Sequence, residues 1–303
     1  KNKALLKELS QLGQNSNDLH FKTRRSQPFS VQCAACLWRQ TLSLYRNPSY
    51  SAVRLLFIIL IALILGDLYS GVGSKRSKEE DILDAVGSMF TAITFLGVQN
   101  VTTVQPLASF EMSFFYREKA AGLYSPFAYA FGQIVGELPY ILLQTLIYSV
   151  IVYAMMGFEW KTEKFFWFFF FMLFALLYST ILGMLTVIVT PNEQVAGLTS
   201  SVVLTIWVLF SGFIIPKTRI SVYWRWCYYA TPYGWSLNGL AASQFGDVRT
   251  ELDNQQTVEE FMRSYFGYSH GSVGYVAAIN AAIALLFGAC YGFAINIFNF
   301  QKR

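Results

Sequence analysis

Residues 165–189 read FFWFFFFMLFALLYSTILGMLTVIV, with no charge and no proline. About 20 apolar residues cross the ~30 Å hydrocarbon layer of a bilayer. A backbone in lipid must satisfy its own polar groups, which leaves a helix or a closed barrel. Five further apolar runs, at 52–69, 82–107, 127–156, 195–215 and 276–298, repeat the signal. Charged residues make up 14% of the 303 positions, against about 25% in soluble domains. The expected class is an all-α membrane protein with six transmembrane helices. The net charge of +5 does not indicate nucleic acid, because the basic residues flank the apolar runs instead of forming one patch. Arg54 and Asp67 lie near the ends of the first run, where long side chains can snorkel to water.

Lys and Arg orient the chain. Lys1, Lys3, Lys7, Lys22, Arg24, Arg25, Arg39 and Arg46 precede the first run, Arg117 and Lys119 follow the second, and Gln301-Lys302-Arg303 closes the chain. Six spans put all three regions on one side, which the positive-inside rule makes cytoplasmic. Both termini are then cytoplasmic, and 216–274 is the one large external loop.

Three stretches outside the runs carry chemistry. FEMSFFYREKAAGLYSPFAY (110–129) mixes Glu111, Arg117, Glu118 and Lys119 with aromatics on the cytoplasmic side. It reads either as a solvated turn or as a short amphipathic helix that docks on a partner. FSVQCAACLWRQTLSLYRNP (29–48) sets Val31, Leu37, Trp38, Leu42 and Tyr45 against Arg39, Gln40 and Arg46, an amphipathic helix for the inner interface. WRWCYYATPYGWS is aromatic enough for the outer headgroup layer. Glu137 lies inside the third run just before Pro139, where burial of a charge costs about 2.5–3.5 kcal/mol on insertion scales; it either bonds a neighbouring helix or serves function. Cys33 and Cys36 form a C-x-x-C without further metal ligands, so no metal site is expected. Cys227 stands alone outside and could pair only with another half. Asn100-Val101-Thr102 is a glycosylation sequon inside a span.

FYREKAAGLYSPFAYAFGQIVGELPYI and LFSGFIIPKTRISVYWRWCYYATPYGWSLNGLAASQFGD strongly resemble the G-type ABC exporters, more narrowly the second membrane half of the plant full-size pleiotropic-drug-resistance transporters. GSKRSKEEDILDAVGSMFTAITFLGVQN, YAMMGFEWKTEKFFW and FNFQKR fit the same group, so the resemblance covers essentially the whole chain. Departures are confined to Ser221-Val222-Tyr223-Trp224 and Cys227-Tyr228-Tyr229.

The resemblance implies an alternating-access, ATP-driven exporter of amphipathic organic molecules such as xenobiotics, terpenoids, hormones or lipid precursors, in the plasma membrane. No G-x-x-x-x-G-K-[ST] occurs here, so this chain is no enzyme on its own and holds no cofactor. ATP and Mg would sit on nucleotide-binding domains outside it. Those domains, the other transmembrane half (of the same polypeptide or a dimer partner), the bilayer and a small amphipathic substrate are the expected partners. Residues 1–28 become the tail and linker from a nucleotide-binding domain, 29–48 the connecting helix, and 49–303 the six-span domain with re-entrant helices in its external loop. By resemblance, Phe95, Val98, Gln99, Thr102, Ser201, Thr205, Val208 and Leu209 line the substrate path, and Phe213 and Ile214 form the exit plug. Phe115, Tyr116, Arg117, Glu118, Lys119 and Tyr124 belong to a short cytoplasmic coupling helix, and Glu111 and Glu137 to a polar relay. A path of aromatic, aliphatic and hydroxyl groups suits amphipaths and lacks the charge ring of an ion pore. The rivals are a proton-coupled secondary transporter, which should show inverted repeats not found here, and a nucleotide-independent scaffold or channel.

Overall fold

Helices occupy the apolar runs, and prolines at the first turn start three of them, where the missing N–H costs nothing. The computed structural model describes residues 25, 27–253, 255–298 and 300. Its α-helices are α1 (Phe29–Tyr45), α2 (Pro48–Leu68), α3 (Glu79–Ala120), α4 (Pro126–Met156), α5 (Thr162–Val189), α6 (Glu193–Leu209), α7 (Arg225–Ala230), α8 (Pro232–Phe245), α9 (Val258–Phe261) and α10 (Val273–Ile297). The expected tail at 1–28, apart from Arg25, Gln27 and Pro28, and the C-terminal 301–303 lie outside the described residues.

The hub is α5, which packs against α3, α4, α6, α8 and α10. Its apolar run therefore faces protein on most sides, with Phe168, Phe171, Met172, Leu176 and Tyr178 fully buried. The segment after α6 sends α8 back into the body. Tyr233 at its start lies 3.4 Å from the Ser179 hydroxyl, roughly 25 Å along α5 from Thr162. At its other end Phe245 meets Phe158 near the N-terminal end of α5. Nearly every residue of α8 is buried, so α7 and α8 form a re-entrant hairpin turning at Thr231.

Two expectations need correction. Among the described residues five helices are long and apolar enough to cross a membrane by length and composition, and the fifth run holds α6, a shorter apolar helix of 17 residues. It stops before Gly212, whose φ of +91° is left-handed and whose missing Cβ leaves room for Tyr268 and Tyr228, at 2.8 and 2.9 Å from where it would stand. The first correction is that the described residues hold no separate coupling helix. Residues 110–120 are the last turns of α3, a single 42-residue helix running through Pro106. Acidic Glu79, Glu80 and Asp81 open it and basic Arg117 and Lys119 close it, which suits the helix dipole at both ends.

In α1 the stripe with the glutamines faces the protein and the most apolar stripe faces outward. Gln32, Cys36, Gln40 and Leu44 are buried, whereas Val31, Trp38 and Tyr45 are exposed. Polar side chains glue helices and apolar ones face outward, as lipid solvent favours. Gly132 and Gly136 on α4 let α1 approach; a Cβ on Gly132 would stand 3.0 Å from the Cys36 backbone and one on Gly136 2.8 Å from Gln40. The second correction is Arg54, which does not snorkel: only 3% of it is exposed, and it bonds within the bundle.

Candidate transport site and its links

Residues 95, 98, 99 and 102 recur at helical spacing on the side of α3 opposite its packed face. Phe95, Val98 and Thr102 are exposed and Gln99 is half-buried. On α6, Ser201, Thr205 and Leu209 are exposed and Val208 half-buried, while Ala196, Ser200, Leu204 and Trp207 pack inward. Gln105 joins the two helices by donating to Ser200 Oγ at 2.9 Å, to Thr186 Oγ1 at 3.0 Å and to the Ala196 carbonyl at 3.3 Å. Of the eight residues expected in the path, six are thus exposed and two half-buried, with hydroxyls among aliphatic and aromatic groups. Of the two plug residues, Phe213 folds back to stack on Phe90 at 5.0 Å, over the space left by Gly87. Ile214 is exposed.

The corner where α3 ends and α4 begins is held by α1. Glu118 accepts hydrogen bonds from Arg39 and from Tyr124 Oη, and the Arg39 guanidinium lies 5.5 Å from the Tyr124 and Tyr129 rings. Gln32 Oε1 accepts the Ser125 N–H at 2.8 Å. Phe115, expected to project, is fully buried against Tyr129 at 4.5 Å. Lys119 donates to the Ile295 and Asn296 carbonyls at 2.8 and 3.1 Å, capping the C-terminus of α10. Tyr116 is half-buried and Arg117 exposed. The aromatic side chains left open on this end of α3 are Phe110 and Phe114.

The two carboxylates expected in one relay sit in separate clusters. Glu111 accepts from Gln133 at 2.6 Å and from Gln40 at 3.2 Å, and Tyr291 of α10 donates to Gln133. Glu137, one turn further along α4, binds Arg54 of α2 at 2.8 Å with both side chains almost wholly buried. Arg54 also donates to Tyr50 Oη at 3.2 Å and to Asn100 Oδ1, and Asn100 donates to Thr180 Oγ1 on α5. Asn100 is therefore a structural side chain rather than a glycosylation site. The bonds of each cluster are internal, so no hydrogen-bonded path among the described residues joins Glu111 to Glu137.

Lys164 is buried and donates to Asp247 Oδ1 at 2.7 Å and to the Gln244 carbonyl at 2.9 Å, tying the start of α5 to the end of α8. Glu159 pairs with Lys161 at 2.7 Å, Lys164 at 3.4 Å and Arg76 at 3.8 Å. The hydrogen bond from Lys161 holds the Glu159 carboxyl below the usual carboxylate range. Cys227 is buried, which disfavours a bridge to another half. Burial pushes the Cys36 thiol up and away from reactive thiolate.

The sequence missed Arg39, Arg54, Gln133 and Tyr291 because their significance lies in partners 79 to 158 residues away. The only local hint was Arg54 inside an apolar run.

A multi-pass helical body with buried polar ties and a hairpin folded back into it is the architecture of a polytopic membrane domain. Residues 31–245 match the ABC-2 type transporter family, and the chain belongs to it. Over all 303 residues it is 52% identical to pleiotropic drug resistance protein 1 of Nicotiana tabacum and 51% identical to ABC transporter G family member 36 of Oryza sativa subsp. indica. The corresponding protein of Petunia hybrida is 54% identical. The chain spans 21% of the length of each of these relatives.

Proposed function

We propose that this chain is the membrane half of an ATP-driven exporter of amphipathic organic molecules, with the α3–α6 wall forming one side of the substrate path. The observation that carries the proposal is the wall itself. Eight side chains of mixed hydroxyl, aliphatic and aromatic character, on two bonded helices, face away from their own bundle. The relatives' names, pleiotropic drug resistance and ABC transporter, support an exporter over the proton-coupled and scaffold alternatives. In this reading ATP and Mg bind nucleotide-binding domains outside the chain, and those domains push on the corner formed by α1, the end of α3 and the start of α4. A second transmembrane half faces the wall. The Phe213–Ile214 segment closes its outer end.

The test is efflux by the full-length protein. Thr205→Trp and Leu209→Trp should obstruct the path, lowering both efflux of a fluorescent amphipath and its stimulation of ATP hydrolysis at normal surface levels. Unchanged efflux with both variants refutes the assignment. The chain without nucleotide-binding domains should insert and hydrolyse no ATP. Orientation is tested separately: Lys78→Cys and Glu251→Cys should react with an impermeant thiol reagent on intact plant cells stripped of wall, and Lys119→Cys should not. Reversed labelling would overturn cytoplasmic termini, and labelling at none of the three sites would overturn plasma-membrane placement.

A further inference from the structure

Neither α4 nor α10 contributes to the α3–α6 wall, and between them lies a cleft of about 670 Å³, with Phe174 and Leu177 of α5 behind it. Every side chain lining it is hydrocarbon. The two helices run antiparallel. Phe127, in the first turn of α4, meets Phe293 near the end of α10 edge to face at 5.6 Å, and Ile134 lies 3.6 Å from where a Cβ on Gly288 would stand. Along α4 the cleft extends from Phe127 to Leu138, roughly 17 Å at the helical rise. One leaflet supplies about half of the ~30 Å hydrocarbon layer, so the cleft is one leaflet deep. Its rim is open: Phe131, Leu285 and Phe293 are 48%, 77% and 58% exposed. Both helices are long and apolar enough to cross a membrane, so the medium around the cleft is lipid. Just beyond the end marked by Phe127 and Phe293 stands a cation. Lys119 gives two of its three N–H donors to the Ile295 and Asn296 carbonyls in the last turn of α10. It pairs with no carboxylate among the described residues.

We propose that the cleft holds one acyl chain of an anionic phospholipid whose phosphate rests on Lys119. This site goes beyond the exporter reading and stands apart from it, since its test reads binding without transport. An unfilled cleft would leave its lining without dispersion partners on one side, and an all-hydrocarbon lining accepts only a hydrocarbon body. A partner helix fits poorly. The small residues on which it would pack closely, Gly288 and Gly292, already face α4, with a Cβ on Gly292 standing 3.3 Å from Phe127. A rigid fused-ring lipid such as a sterol fits poorly too. The Phe127–Phe293 contact bridges α4 and α10 at the end where its hydroxyl would have to reach water, and a flexible chain bends around that bridge. A sterol also brings no charge to Lys119, whereas a phosphate accepts the remaining N–H and neutralises the ammonium.

The full-length protein is placed in phosphatidylcholine nanodiscs with a trace of photoreactive lipid, and adducts are mapped by peptide mass spectrometry. Three probes are compared: a phosphatidylglycerol with a diazirine in mid-chain, the diacylglycerol with the same chain, and a diazirine sterol. Adducts in 127–138 and 281–293 are read relative to those on Leu56, Leu60 and Leu63, exposed on α2, which report ordinary lipid contact. The phosphatidylglycerol should be enriched in the cleft. The diacylglycerol should be enriched about fivefold less, the worth of one lysine beside an anionic lipid. Lys119→Gln should lower the phosphatidylglycerol to the diacylglycerol level, and Lys119→Arg should retain its enrichment. Ala289→Trp, which fills the cleft from an exposed position, should abolish enrichment of both while labelling of α2 persists. Phosphatidylglycerol no more enriched than on α2, a sterol more enriched than it, or equal enrichment in wild type and Lys119→Gln overturns the inference.

Discussion

Removing one member of the Arg54–Glu137 pair should destabilise the bundle more than removing both. The two groups meet at 2.8 Å with side-chain exposures of 3% and 4%, so neither retains water that could compensate. Taking one partner from a buried pair costs about 3–5 kcal/mol, whereas replacing the whole pair by apolar groups is often neutral. Arg54→Met also orphans Asn100 Oδ1, adding about 1–3 kcal/mol for a buried polar atom without a partner. Glu137→Leu leaves a guanidinium that cannot shed its charge, though Tyr50 and Asn100 still accept from it. Arg54→Met should therefore cost about 4–8 kcal/mol and Glu137→Leu about 3–5 kcal/mol. The double variant, Arg54→Met with Glu137→Leu, leaves chiefly the Asn100 orphan and should cost about 1–3 kcal/mol. Thermal unfolding midpoints in lipid nanodiscs, read by size-exclusion recovery after heating, should rank wild type above the double variant and the double variant above both singles. Singles as stable as wild type would show that the pair is not desolvated as described. A double variant worse than either single would show that the charges act independently.

Three further outcomes test other parts. Glu118→Lys should abolish substrate stimulation of ATP hydrolysis in the full-length transporter by opposing Arg39, and the swap Arg39→Glu with Glu118→Lys should restore it; failure of the swap would place the operative contact of Glu118 elsewhere. Surface levels should change little, because the pair is 42% and 30% exposed and such pairs contribute about 0.2–1 kcal/mol. Gly132→Val should lift α1 from α4, since a Cβ there stands 3.0 Å from backbone that cannot rotate away; an unchanged rate of thiol labelling at buried Cys36 would refute this. The Glu159 carboxyl titrates below its ordinary value of 4.5 because Lys161 and Lys164 favour the charged form. Its contribution is therefore complete above about pH 4.5 and is lost only as pH falls through the lower folded value. Amide protection factors at 157–161 should hold from pH 7 to 5 and drop below that in wild type but not in Glu159→Gln; loosening already at pH 6 would contradict it.

The sequence by itself determined the class and most of the helices. An uncharged run such as 165–189 has one low-energy form in lipid, a helix, because no water is present to satisfy its backbone. Phe95, Val98, Gln99 and Thr102, and Ser201, Thr205 and Leu209, named from the resemblance, stand at helical spacing along α3 and α6, and that spacing is a local property of the helix. The length of α6, the single helix through 110–120 and the orientation of α1 were decided by tertiary structure. Gly212 ends α6 because Tyr228 and Tyr268, from distant segments, fill the space beside it. Phe115 is buried because Tyr124 and Tyr129 return on α4 and its approach. In α1 the sequence shows two stripes, but only the partner tells which is inside: against α4 the glutamines find carboxylate and backbone partners, and lipid takes Trp38. Arg54 and Glu137 lie 83 residues apart, and nothing along the chain says that two such costly charges will meet. Periodicity fixes what a segment can bury, while the identity of what it is buried against exists only once the chain has folded.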